Sequence, residues 1–197
     1  NKIEGAETDK GKIDCEYVVL ASGMWARQIA ADINVSIPLY PVEHFYILTE
    51  PIKNLDKALP VLRDYNHCLY IKEDSGKFLV GIFEPNAKPA FTNAYKIPND
   101  FSFGELPEDF DHFEPYLMHA VKRIPNLETA GIRKFFNGPE SFTPDTNYLL
   151  GETPEIKNFF VCCGFNSIGL ASSGGAGCAT AEWMMNGGIS EDIFSLD

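Results

Sequence analysis

The sequence predicts an α+β chain: an antiparallel or mixed sheet with a helix layer, set into a glycine-rich strand–turn–helix framework. Three observations predict it. β-rich runs at 44–50, 68–73 and 77–83 precede one long amphipathic helical pattern. Each end of the chain carries a short apolar run, a glycine turn and a helical segment in that order. The stretch 84–103 between them is rich in Pro, Asn and Lys.

Taken in order, residues 16–21 form a β-rich run that ends at Ser22-Gly23. Trp25, Ile29 and Ile33 follow at helical spacing and form one apolar face. Strand, glycine turn and helix in sequence make half of a nucleotide-binding unit. Pro38 and Pro41 break the chain and mark a domain crossing. Of the three central runs, the last two flank Asp74-Ser75-Gly76, a good hairpin turn. Residues 84–103 read as loop. Phe110, Phe113, Leu117, Val121 and Ile124 recur at helical spacing until Pro125 stops them. Residues 131–137 read as a further strand.

The last third is the most informative. An apolar run at 159–163 leads into a glycine turn at 164–169, and a segment of Gly, Ala, Ser, Cys and Thr follows. Gly169, Gly174, Gly175 and Gly177 each cost about 1 kcal/mol against Ala in a helix. Tolerance of that cost implies a close approach to this backbone. A flat, partly anionic ring at a helix N-terminus is the sharpest candidate. The two ends, 1–36 and 138–197, read as parts of one nucleotide-binding domain, with 37–137 as an inserted substrate-binding domain.

Composition bounds the function. The chain has 197 residues, 45% of them hydrophobic and 13% aromatic, which suits a globular fold with a real core. A net charge of −12 without a basic cluster argues against nucleic acid and anionic membranes as partners. Five cysteines without framework spacing read as reduced, buried residues of an intracellular protein. No Cys–His spacing suggests a metal site. Residues 159–181 carry no charge, but their polar groups and five glycines make them too broken for a membrane span.

Several blocks together resemble the C-terminal flavin-binding segment of FAD-dependent amine oxidoreductases related to D-amino-acid oxidase, in the sarcosine and dimethylglycine dehydrogenase branch. They are Asn137-Gly138-Pro139-Glu140-Ser141-Phe142-Thr143-Pro144-Asp145, Gly151-Glu152-Thr153-Pro154, Gly164-Phe165-Asn166-Ser167, Gly174-Gly175-Ala176-Gly177 and Ala181-Glu182-Trp183-Met184. The resemblance runs along essentially the whole chain, in order. It implies that 1–36 and 138–197 belong to an FAD-binding Rossmann-like domain. No G-x-G-x-x-G follows a strand, although the family carries one at its N-terminus. Gly175-Ala176-Gly177 lies inside the predicted helix and has Thr180 where a third Gly or Ala is wanted. The chain is therefore expected to be a piece of a longer enzyme, opening inside the FAD domain and closing at 192–197 where relatives continue.

Residue roles follow from the same resemblance. Gly164, Asn166, Ser167, Ile168 and Gly169 would border the flavin ring, with amide N–H groups near Ser167 to Gly169 meeting its pyrimidine oxygen. Taken alone, this turn reads as an ordinary strand-to-helix connection. Gly23 and Trp25 match the strand-end block that passes close to the dinucleotide, though by spacing alone they are a plain β-to-α turn. His44 matches a histidine placed over the flavin at the substrate amine, where a neutral imidazole can position the amine or take its proton. Tyr70 aligns with a tyrosine whose hydroxyl would bond the substrate or His44; Ile71 stands where relatives often have a second tyrosine. The two are expected on neighbouring strands, facing one side of the sheet, toward the flavin position next to Gly169. Asp145 is read as a structural cap, and His112 and His119 as solvated.

The implied activity is oxidation of an N-methylated amino acid, sarcosine or dimethylglycine, by hydride transfer to FAD in the full-length enzyme. The partners implied are a small amine and a folate-binding C-terminal domain. The expected compartment is cytoplasmic, or the mitochondrial matrix in a eukaryote. The chain alone is expected to be inactive, to lose FAD and to self-associate. The alternative is a non-catalytic regulatory protein on the same fold. Glu43-His44-Phe45-Tyr46 and Phe83-Glu84-Pro85-Asn86-Ala87-Lys88-Pro89 also look like the regulatory subunit of pyruvate dehydrogenase phosphatase.

Overall fold

A computed structural model of the chain describes residues 1–92 and 96–188. Residues 93–95 of the 84–103 loop, and the closing segment 192–197, lie outside the described residues. The chain divides into two compact units, residues 1–41, 91–98 and 140–197, and residues 42–90 and 99–139.

The first unit opens with an antiparallel hairpin of β1 (Gly5–Thr8) and β2 (Gly11–Asp14). β2 is exposed at every position, so apolar alternation does not reveal it. β3 (Val18–Leu20) follows, then a single 3₁₀ turn, then α1 (Ala26–Ala31). The packed face of α1 is Ala26 and Ala30, both fully buried, whereas Ile29 and Ile33 are largely exposed. This corrects the expected Trp25–Ile29–Ile33 face. Two alanines one turn apart let the helix backbone settle against its neighbours, and Ile33 lies past the last turn.

The second unit holds β4 (Tyr40–Thr49) from Val42 on, β5 (Leu62–Asp64), β6 (Leu69–Asp74), β7 (Lys77–Ile82), α2 (Phe110–Arg123) and β8 (Ile132–Phe142) up to Pro139; the last three residues of β8 belong to the first unit. The sheet runs in the order β5-β6-β7-β4-β8. Asp74 pairs with Lys77, so Ser75-Gly76 is a two-residue hairpin loop, and both residues have positive φ, as a type I′ turn requires. Pro41 sits near the start of β4, where a missing N–H is tolerated, so it does not interrupt the strand, but the opening segment of the first unit ends at it.

Strand parity divides this sheet into two faces. Phe45, Ile47, Leu69, Ile71, Val80 and Ile82 form a core with Phe113 and Ala120 of α2. Side chains of the other parity, including His44, Tyr46 and Tyr70, lie on the face away from α2. Asp109 caps α2 by accepting from His112 N at 3.0 Å, and Lys122 and Arg123 occupy the last turn, matching the helix dipole. Arg123 also donates to Asp64 of β5 at 3.1 Å, tying the helix to the sheet edge. His112 and His119, expected to be solvated, are half-buried. His112 hydrogen-bonds Glu84 at 3.1 Å, and the tilted rings of His119 and His67 pack with centroids 4.5 Å apart.

The chain then completes the first unit with β9 (Leu149–Glu152), β10 (Phe159–Cys163) and α3 (Gly169–Asn186). β10 is central, parallel to β3 and antiparallel to β9. α3 turns Ala176 and Thr180 inward and sets Trp183 edge-on to Phe160 at 5.9 Å. Gly187, at φ 72°, ends the helix as a left-handed cap. Of the five cysteines all are free, but only Cys163 is buried, and Cys178 is exposed. Among the described residues no helix is long and apolar enough to cross a membrane, and no group of three His, Cys, Asp or Glu could hold a metal.

Candidate cofactor cleft and candidate catalytic pair

The parallel strands β3 and β10 end side by side. A cleft of about 590 Å³ opens at that point. The carboxyl ends of adjacent parallel strands are where open α/β sheets bind ligands. The cleft is lined by Gly23 after β3, Glu140 and Ser141 at the end of β8, the turn after β10, and one side of α3. Of the residues expected here, Gly23, Gly164, Asn166, Ser167 and Gly169 line it, while Trp25 and Ile168 do not.

The turn is held by its own side chains. Gly164 has φ 72°, and a Cβ there would come within 2.6 Å of the Thr143 methyl, so conformation and space both require glycine. Asn166 accepts from Thr143 N at 2.9 Å and donates to Gly164 O at 2.7 Å. Ser167 Oγ donates to Glu140 at 2.8 Å. Burial raises the Glu140 carboxyl above its ordinary pKa, and the bonds from Ser167 oppose that rise. Burial pushes the Cys163 thiol up to about 12, which keeps it protonated and inert.

Among the described residues no side chain caps the N-terminus of α3, so its first N–H groups and dipole can serve an acceptor. On α3 a Cβ at Gly174 or Gly177 would meet nothing within 4 Å among the described residues. These glycines are not required by the packing of the described chain. The cleft suits a flat ring edged by acceptor oxygens. The described chain has no glycine loop for a dinucleotide's phosphates, so these residues fit the ring portion of FAD and not its tail.

The second unit carries the other expected pair. His44 on β4 and Tyr70 on β6 share a hydrogen bond of 3.0 Å between Nε2 and the hydroxyl. The strands are not neighbours as expected, because β7 lies between them. Parity still brings the groups to one face: Tyr46 pairs with Gly81, and Gly81 with Tyr70. Phe83 packs against both rings, at 4.8 Å from His44 and 5.1 Å from Tyr70. His44 is 8% exposed. Burial first, and the positive charge of Arg63 second, lower its pKa from 6.5 to about 4. The imidazole is therefore neutral throughout the physiological range.

Three residues on these surfaces carried no role in the sequence reading. Glu140 stands within the 137–145 block, whose sequence does not reveal its bond to Ser167. Arg63 sits on the three-residue strand β5, too short to register as periodic. Its guanidinium lies 4.0 Å above the Phe83 ring and has no carboxylate partner among the described residues. Gly81 lies under the Tyr70 ring, a position that only strand pairing reveals.

At 43% identity over 199 aligned residues, the chain resembles the mitochondrial pyruvate dehydrogenase phosphatase regulatory subunit of Mus musculus, covering 100% of this chain and 22% of that protein. It is 40% identical to 4-methylaminobutanoate oxidase (formaldehyde-forming) of Paenarthrobacter nicotinovorans, covering 99% of this chain and 23% of the relative. It is 36% identical to the mitochondrial sarcosine dehydrogenase of Mus musculus, covering 100% and 21%. The chain thus spans about a fifth of the length of these relatives. Among solved structures, L-proline dehydrogenase from P. horikoshii shares the fold, with a TM-score of 0.77 at 24% identity, over 96% of this chain and 48% of that one. Residues 1–183 match the DAO family, described as FAD dependent oxidoreductase, and the chain belongs to that family.

Proposed function

We propose that the protein carrying this chain oxidises an N-methylated amino acid, of the sarcosine or dimethylglycine type, with FAD as electron acceptor. The observation that carries the reading is the buried, neutral His44 bonded to Tyr70 on the face of the sheet away from α2. The names of two relatives, 4-methylaminobutanoate oxidase and sarcosine dehydrogenase, point to the same substrate class.

The substrate amine must be neutral for its lone pair to drive loss of a hydride from the adjacent methyl or methylene carbon. FAD, when bound, supplies the acceptor for that hydride, and the substrate becomes an iminium. His44 is suited to position the amine or take its proton, because burial and Arg63 keep the imidazole uncharged. Tyr70 orients the imidazole through the bond to Nε2. Arg63, a cation without a carboxylate partner among the described residues, suits the carboxylate of an amino acid. In the cleft, Gly164, Asn166, Ser167 and Gly169 would border the ring, and the uncapped start of α3 would meet a ring oxygen.

The test is anaerobic mixing of the purified full-length protein with sarcosine, dimethylglycine, 4-methylaminobutanoate and dimethylamine. The reading expects at least one N-methylated amino acid to bleach the flavin band, and dimethylamine, which lacks a carboxylate, to do so far more slowly. A second reading rests on the 43% identity to the phosphatase regulatory subunit. On that reading the protein is a non-catalytic partner, and none of these amines reduces its flavin.

A further inference from the structure

Tyr70 and His44 meet across a strand that separates them. β7 lies between β6 and β4, and the register sets Gly81 between Tyr70 on one side and Tyr46 on the other. For the Tyr70 hydroxyl to come within 3.0 Å of His44 Nε2, its ring must lie over β7. A Cβ built at Gly81 would overlap the far end of that ring and its hydroxyl. The backbone of Gly81 is not in the left-handed region, so its conformation does not require glycine. Glycine inside a central strand weakens the sheet and marks a site of close approach. Here the group that approaches is Tyr70.

We propose that Gly81 is a positioning residue for the candidate catalytic pair: its missing side chain opens the lane through which Tyr70 reaches His44. The proposal rests on the reading that this pair handles the substrate amine, but its geometric half stands without that reading. The obstacle to a larger residue is the end of a side chain and not backbone. Gly81→Ala should therefore leave the sheet intact and swing the Tyr70 ring away from His44.

The experiment uses the full-length protein with Gly81→Ala, Tyr70→Phe and the double variant. Crystal structures of Gly81→Ala should show the Tyr70 hydroxyl beyond hydrogen-bond reach of His44. Each single variant should lower kcat/KM for an N-methylated amino acid by about tenfold or more, and the double variant should be no slower than the slower single. The acid limb of the kcat/KM profile should shift in the same direction in both single variants. If Gly81→Ala folds poorly, Gly81→Ala in a Tyr70→Ala background should restore the yield, because the ring it strikes is gone. A Gly81→Ala structure that keeps the bond, losses that multiply in the double variant, or no rescue by Tyr70→Ala would each overturn the proposal. If no amine reduces the wild-type flavin, the functional reading fails, and the crystal structure alone decides the role of Gly81.

Discussion

His44 is neutral because the fold removes it from water and places Arg63 nearby, and this has a measurable cost at acid pH. Above pH 6.5 the imidazole is neutral in folded and unfolded chains alike and contributes nothing to pH dependence. Between 6.5 and about 4 the unfolded chain takes up a proton that the folded one excludes, so stability falls as pH falls. The full loss is on the order of 3 kcal/mol. His44→Gln should lose less stability than wild type between pH 7 and pH 4.5; equal losses by thermal unfolding would contradict the assignment. Gly164→Ala should destabilise by about 1–3 kcal/mol, because it puts a side chain at positive φ and against Thr143. Legibility at this scale was uneven. His44, Tyr70 and the 164–169 turn stood out because each sat in a distinctive block. Arg63, Gly81 and Glu140 did not, because their roles come from partners distant in sequence.

At the scale of elements, hydropathy pattern located β4, the β6–β7 hairpin and α2, while α3 was legible from its small-residue composition after the glycine turn. It missed β1 and β2, which are short and bury little, and β5 and β9, which have three and four residues. It also chose the wrong face of α1, since hydropathy favours isoleucine where close packing selected alanine. Alternation told which face His44 and Tyr70 share but not which strand of the hairpin lies beside β4. That choice depends on three-dimensional pairing, and β7 took the place expected for β6. The α2 layer gives a direct check. Phe113, fully buried in the core, should cost about 3–5 kcal/mol when replaced by alanine. Met118, on the same helix but 51% exposed, should cost within about 0.5 kcal/mol. Similar losses in the two variants would mean that α2 does not pack on the sheet as described.

For the whole molecule, the family was legible because several blocks recur in order, and no single glycine motif would have sufficed. The substrate was not legible, since it depends on a few side chains brought together by the sheet. α3 leaves Leu170 98% and Met185 84% exposed. The chain produced alone should therefore associate at high concentration, and a strictly monomeric sedimentation profile would contradict that expectation. It should also lose FAD on desalting, for it offers a ring cleft without a phosphate loop; a preparation that stays yellow would contradict it. The central claim is that His44, held neutral and bonded to Tyr70, serves amine oxidation. Its most direct test is the rate of anaerobic flavin reduction by an N-methylated amino acid in the full-length protein and its His44→Ala variant. Rapid bleaching is expected in the wild type and a rate lower by about 10²–10⁴ in the variant, with flavin still bound. Equal rates in the two proteins, or no bleaching of the wild type by any N-methylated amino acid, would contradict it.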